Sequence, residues 1–106
     1  MIALVIADHL MRQELLRPIG SVASARKKID VVDDMLMVLL SQRQELVGEV
    51  GRLKRVRNVR ISDPRREREI LRKRLTLAAD ANLDPEFVRA IYRTLFQHAR
   101  SIQKRA

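Results

Sequence analysis

From Ser21 to Arg55 an apolar residue returns every three or four positions with no proline in between. Val22, Ala25, Ile29, Val32, Leu36, Leu39 and Leu40 form one side of the first half, and Val47 and Val50 carry the pattern on. A period of 3.6 residues brings such positions onto one face, so the spacing predicts an uninterrupted helix that starts at the N-cap Ser21. Gly48 and Gly51 weaken that helix by up to ~1 kcal/mol each without ending it. At 1.5 Å per residue it is roughly 50 Å long.

A polar loop from Val56 to Ser62 follows. Asp63-Pro64 then has the form of an N-cap with a first-turn proline, predicting a second helix to about Ala79. Asn82 and Leu83 make a short turn. Asp84-Pro85 repeats the start signal for a third helix to about Lys104, whose apolar face is Phe87, Val88, Ile91, Tyr92, Leu95, Phe96, Ala99 and Ile102. No stretch alternates with period two, so no sheet is expected. Residues 1–20 read as a separate N-terminal leader that ends at Pro18 and Gly20, with room for a short helix over Ile2 to Leu16. Residues 21–106 make the helical domain. The expected fold is all-α, with one long N-terminal helix and two shorter ones.

A compact domain of this size has a radius of gyration of only ~13 Å. A helix as long as the first one protrudes from it and needs its stripe covered along the whole length. A second copy of the chain in a two-fold homodimer is the simplest cover.

With 106 residues there is material for one modest core and not two. The absence of cysteine excludes a disulfide framework and a thiolate metal site. His9 and His98 have no ligand-spaced partner, so no metal is expected. The opening MIALVIADHLM is interrupted by Asp8, lacks a basic n-region and a cleavage site, and is too short to cross a bilayer. A cytoplasmic protein with no membrane partner is therefore expected. The net charge of +9 favours an anionic partner, and much of the excess lies in GRLKRVRNVRISDPRRERE between Gly51 and Glu69. One Tyr and two Phe give no stacking platform for single-stranded bases.

Against this background six polar side chains fall on the apolar stripes themselves: Arg26, Arg43, Lys54, Arg66, Glu67 and Gln103. Leu36, Leu40, Arg43, Val47, Val50 and Lys54 follow one another at steps of four and three, within an arc of about 80° at 100° per residue. Charges on such a stripe are expensive to bury, and an ordered set of them points to a pocket for an anion. Each has a plainer explanation when taken alone. Lys54 suits the negative end of the helix dipole, and Arg43 can snorkel. Asp63 caps a helix, Arg66 and Glu67 belong to the charged run RREREILRKR, and Gln103 by itself means nothing. It is the combination over three helices that favours a site.

Four segments carry a joint pattern: ARKKIDVVDDMLMVLLSQRQELVGEVGRLK, SDPRREREIL, NLDPEFVRAIYRTLF and Gln103. From about Ser21 to Lys104 the chain resembles the all-helical (class II) chorismate mutase family, which converts chorismate to prephenate in aromatic amino-acid biosynthesis. The resemblance implies an intertwined homodimer with paired long helices and two equivalent sites. It also implies a pericyclic reaction with no cofactor. Arg43 and the partner subunit's Arg26 would grip the substrate carboxylates, as the guanidinium fork allows. Lys54 and Gln103 would donate to the ether oxygen, where charge develops. Glu67 would accept from the ring hydroxyl, while Asp63 and Arg66 would order the second helix around the substrate, with Arg66 also able to hold a carboxylate. Geometry agrees on the dimer: Arg26 lies about 25 Å along the axis from Arg43 and roughly 100° around it, so one small ligand cannot touch both on the same helix.

Two positions modify the expectation. Ala99 stands where the family often has a hydroxyl residue, which removes one substrate contact. Gln103 is a neutral amide where some relatives have a glutamate that must be protonated, so activity at neutral pH is expected. Three rivals remain open. Isochorismate pyruvate lyase uses the same scaffold, but tends to be apolar at the position of Glu67. A mutase of 4-amino-4-deoxychorismate is compatible with Glu67, which can pair with an ammonium as well as a hydroxyl. From a different class, a basic helical dimer would bind nucleic acid through Arg52 to Arg68, with affinity falling steeply with salt. That chain has no helix-turn-helix signature to offer. No effector domain is expected within the chain, so end-product inhibition is not expected in it, and a regulatory partner enzyme would dock on residues 1–20 or on the basic loop.

Overall fold

The computed structural model describes residues 2–15 and 20–105, and every regular element among them is a helix: α1 (Ile2–Leu15), α2 (Val22–Val56), α3 (Pro64–Asp80) and α4 (Pro85–Arg105). The all-α expectation holds, with α1 added to the three helices expected of the domain. Leu16, the expected end of the short helix, and Pro18, one of the two residues expected to end the leader, lie outside the described residues. Within α1, Arg12 Nε donates to Asp8 Oδ2 at 2.8 Å, a pair at helical i,i+4 spacing. No helix among the described residues is long and apolar enough to cross a membrane.

Each helix of the domain begins as the capping residues dictate. Ser21 Oγ accepts from the Ser24 N–H at 3.1 Å, Asp63 Oδ1 from the Arg66 N–H at 3.1 Å, and Asp84 Oδ1 from the Glu86 N–H at 2.9 Å. Each side chain satisfies an amide that the first helical turn leaves without a partner. The helix ends share a second device. Asn58 and Asn82 have positive φ, 54° and 56°. The Val59 N–H reaches back to the Lys54 carbonyl and the Leu83 N–H to the Ala78 carbonyl, both at 2.8 Å. This is a Schellman-type end with asparagine in the place usually given to glycine.

The chain divides into two compact units, Met1–Leu40 and Ser41–Ala106. In the second unit α3 packs against α4. Ala78, Val88 and Phe96 are its buried apolar residues, and the rings of Tyr92 and Phe96 meet with centroids 5.9 Å apart. The apolar face expected of α4 is only partly covered. Tyr92, Leu95, Ala99 and Ile102 are half-buried, while Phe87 and Ile91 are exposed. α3 is a single helix and covers one strip of a face that spans both i+3 and i+4 neighbours.

Asp84→Ala removes the cap of α4 and leaves the Glu86 amide to solvent. The expected outcome is a loss of about 1 kcal/mol of stability, or a Tm lower by roughly 4–8 °C for a domain of this size, with the helical signal at low temperature unchanged. Thermal unfolding followed by circular dichroism measures it.

Candidate active site

The last turns of α2 and α4 come together at Lys54. Its Nζ donates to the Ile61 carbonyl at 2.9 Å and to Gln103 Oε1 at 3.0 Å. One turn of backbone sets up the first contact: Asn58 reverses the chain after α2 and lays Ile61 back beside the helix it has just left. A neighbouring contact fixes the second, because Arg55 Nη2 donates to the Lys104 carbonyl at 3.2 Å. Gln103 is 9% exposed and is the buried polar residue of the described chain.

This arrangement leaves donors to spare. An ammonium has three N–H groups, and two are used here. Lysine needs an acceptor, which orients the amide with Oε1 toward Nζ and leaves the Gln103 NH₂ without a partner among the described residues. That NH₂ still reaches solvent, since no buried side-chain nitrogen or oxygen among the described residues lacks a partner. Lys54 and Gln103 therefore present two donor groups side by side, one cationic and one neutral.

Glu67 stands in the first turn of α3. Its Oε2 accepts from Arg100 Nη1 at 2.5 Å, and both side chains are about one-third exposed or less. Sequence reasoning missed Arg100. The available signal was its position three residues before Gln103, one turn away on the same side of α4. Asp63 is the N-cap of α3, and its side chain is engaged with the Arg66 amide. The Arg66 side chain is exposed. Arg43 is half-buried with no carboxylate partner among the described residues. Arg26 belongs to the unit Met1–Leu40 and is exposed there. The structure thus brings Lys54 to Gln103 and Glu67 to Arg100, keeps Asp63 in its capping role, and leaves Arg26, Arg43 and Arg66 with no acid partner among the described residues.

Beside the site on α2, Arg52 is in close contact with Glu49. The hydrogen bond from Arg52 holds the Glu49 carboxyl below its usual range, and the same bond raises Arg52. Both groups are exposed, so solvent screens the pair and it contributes little.

Residues 25–104 match the family described as chorismate mutase type II. The chain is 31% identical over 86 residues to the chorismate mutase of Methanocaldococcus jannaschii, a match that spans 81% of this chain and 87% of that protein. It is 32% identical over 72 residues to the bifunctional chorismate mutase/prephenate dehydratase of Escherichia coli K12, covering 68% of this chain and 19% of that one. The bifunctional enzyme of Aquifex aeolicus is 34% identical over 83 residues, or 76% of this chain and 23% of its own. Against the bifunctional relatives the chain spans about a fifth of their length; against the archaeal mutase it spans most of it. With the matched region running from the first turns of α2 to the end of α4 and taking in the Lys54–Gln103 contact, the chain belongs to the type II chorismate mutase family.

Proposed function

We propose that the chain is a chorismate mutase that works as a two-fold dimer and needs no cofactor. The observation that carries this is the Lys54–Gln103 contact, which holds a cationic and an amide donor together with hydrogen-bonding capacity unspent. In the rearrangement of chorismate to prephenate the ether C–O bond breaks as a C–C bond forms, within one molecule. Nothing is transferred to the protein, so no nucleophile is required. The ether oxygen carries more negative charge at the transition state than in the substrate. Donors aimed at that atom bind the transition state more tightly than the ground state, and only such a difference raises the rate of the chemical step.

The remaining residues take the roles of grip and orientation. Arg43 and Arg26 of the partner subunit hold the two carboxylates and keep the substrate in its compact form. Arg66 assists with a carboxylate, and Asp63 fixes the start of α3. Glu67 accepts a hydrogen bond from the ring hydroxyl. Ala99 offers no hydrogen bond, so substrate affinity rests more heavily on the arginines.

The surface of α2 supports the dimer. Val22, Ile29, Val32, Leu36, Leu39, Leu46, Val50 and Leu53 are exposed. With Ala25 and Arg43 filling the gaps, their spacing alternates three and four, the repeat of a seam between two helices. The direction of pairing follows from Arg26. Parallel helices would set equal residues side by side and leave Arg26 of the partner subunit about 25 Å from Arg43. Antiparallel helices crossing between Met35 and Leu40 bring it to the stretch from Arg43 to Lys54.

Loss of chorismate at neutral pH, followed by ultraviolet absorbance with prephenate identified as product, tests the activity. Lys54→Ala is expected to lower kcat by about 10²–10³. The wild-type rate is expected to stay flat between about pH 6 and 8, because the Gln103 amide does not titrate. Persistence of chorismate, or a variant as fast as wild type, rejects the assignment.

Subunit mixing tests the dimer. Arg26→Ala and Lys54→Ala are each expected to be nearly inactive. If one site takes Lys54 from one subunit and Arg26 from the other, a mixed dimer has one intact site. Unfolding and refolding the two together then restores about a quarter of wild-type activity, as random two-fold assembly requires. No recovery after mixing places both residues in the same subunit's site, and an Arg26→Ala variant as active as wild type places Arg26 in none.

A further inference from the structure

Glu67 does not meet a substrate as a free carboxylate. Arg100 Nη1 donates to its Oε2 at 2.5 Å across the α3–α4 interface, with the side chains 34% and 27% exposed for Arg100 and Glu67. The same Glu67 lines a cavity of ≈ 240 Å³ with Pro64, Arg68, Leu71, Arg89, Arg93 and Phe96. It is the one acid on that wall, against three guanidinium groups, of which Arg89 leans on Glu86 at 3.2 Å. Arg100 adds a fourth cation, in direct contact.

A carboxylate held this way keeps one oxygen free. Oε1 has no partner among the described residues and remains an acceptor. A neutral hydroxyl can donate to it without any electrostatic cost. An ammonium cannot do so freely. Within hydrogen-bond distance of Oε1 its nitrogen lies no more than about 7 Å from the Arg100 guanidinium, and the carboxylate that would neutralise it is already paired. The two cations repel in a half-buried place where water screens them less than in bulk.

We infer that Arg100 is a specificity-determining positioning residue. It acts through Glu67 and makes the site select the ring hydroxyl of chorismate over the ammonium of 4-amino-4-deoxychorismate. This rests on the mutase activity proposed above and decides between two substrates that Glu67 alone would accept equally. The repulsive element, rather than a new attraction, gives the discrimination.

The test compares kcat/KM for chorismate and for 4-amino-4-deoxychorismate in wild type, Arg100→Gln, Arg100→Met and Arg100→Lys. Wild type is expected to prefer chorismate by about tenfold or more. Arg100→Gln keeps a donor for Glu67 but removes the charge, and it is expected to shrink the preference by about tenfold, chiefly through KM for the amino substrate. Arg100→Met does the same with a larger loss on chorismate, since Glu67 loses its orientation. Arg100→Lys retains the preference. A purely structural role lowers both substrates together and leaves their ratio fixed in every variant, which would overturn the inference. A wild type that prefers the amino substrate also overturns it, without any variant having to fold. A wild type that converts neither rejects the mutase activity itself and the inference with it, and is seen before any variant is made.

Discussion

A half-buried ammonium has to be met by oxygen, and Lys54 finds its two acceptors in pieces of chain that lie far apart in sequence. The Ile61 carbonyl comes from the loop that leaves α2, and Gln103 Oε1 from the far end of α4, 49 positions along the sequence. Hydrogen bonds to a charged group contribute about 1.5–3 kcal/mol each, where ordinary ones contribute about 1. Satisfying this one cation therefore holds the loop against α2 and, together with the Arg55–Lys104 bond, docks the last turn of α4. The dependence runs both ways. Without Lys54 the buried Gln103 carbonyl has no donor, and a polar group orphaned in this way costs more than the bond itself contributed. Fold and site share the same contact, so a substitution there is read in stability as well as in rate.

The apolar core of the chain is small by comparison. Ala78, Val88 and Phe96 are the buried apolar residues of the described chain, too few to offset the ordering of four helices. The exposed seam of α2 is where the missing burial is available. Arg43 sits within that seam, at a position where leucine would pack better. A polar residue at one seam position fixes the register of a helix pair at some expense in stability. In the proposed dimer that register decides which residue of the partner subunit would face Lys54. Dimerisation as proposed would complete the core and the site in one step.

What the sequence made legible follows from what is local. The starts of α2, α3 and α4 were read from Ser21, Asp63 and Asp84, because an N-cap acts over three residues and its chemistry is written in one side chain. The ends were less plain, since Asn58 and Asn82 do the work more often left to glycine. Lys54 and Gln103 stood out as polar breaks in apolar stripes, and they meet. Periodicity marks a face, though, and says nothing of what covers it: Arg26 and Arg66 lie on the same stripes and are exposed in the single chain. Arg100 was hidden for a different reason. In HARSIQKR it reads as one more solvated cation, and the acid that claims it is 33 positions away on another helix. No local rule reaches that far.

The basic excess itself has two parts. Some of it is matched by neighbouring acid: Arg52 by Glu49, Arg65 by Glu69, Arg89 by Glu86 and Arg100 by Glu67. The exposed pairs among these add little stability but remove charge from the surface that a nucleic acid would have to use. What remains unmatched raises the local concentration of any small dianion and speeds its arrival. Attraction of that kind cannot distinguish substrate from product, because the rearrangement conserves both carboxylates. Stronger grip by arginine would hold prephenate as firmly as chorismate and slow its release. In the proposed mechanism the rate comes from the two donors whose target changes charge during the reaction, which would account for an apolar stripe that gives up a packing position to lysine and closes it with an amide rather than with another arginine.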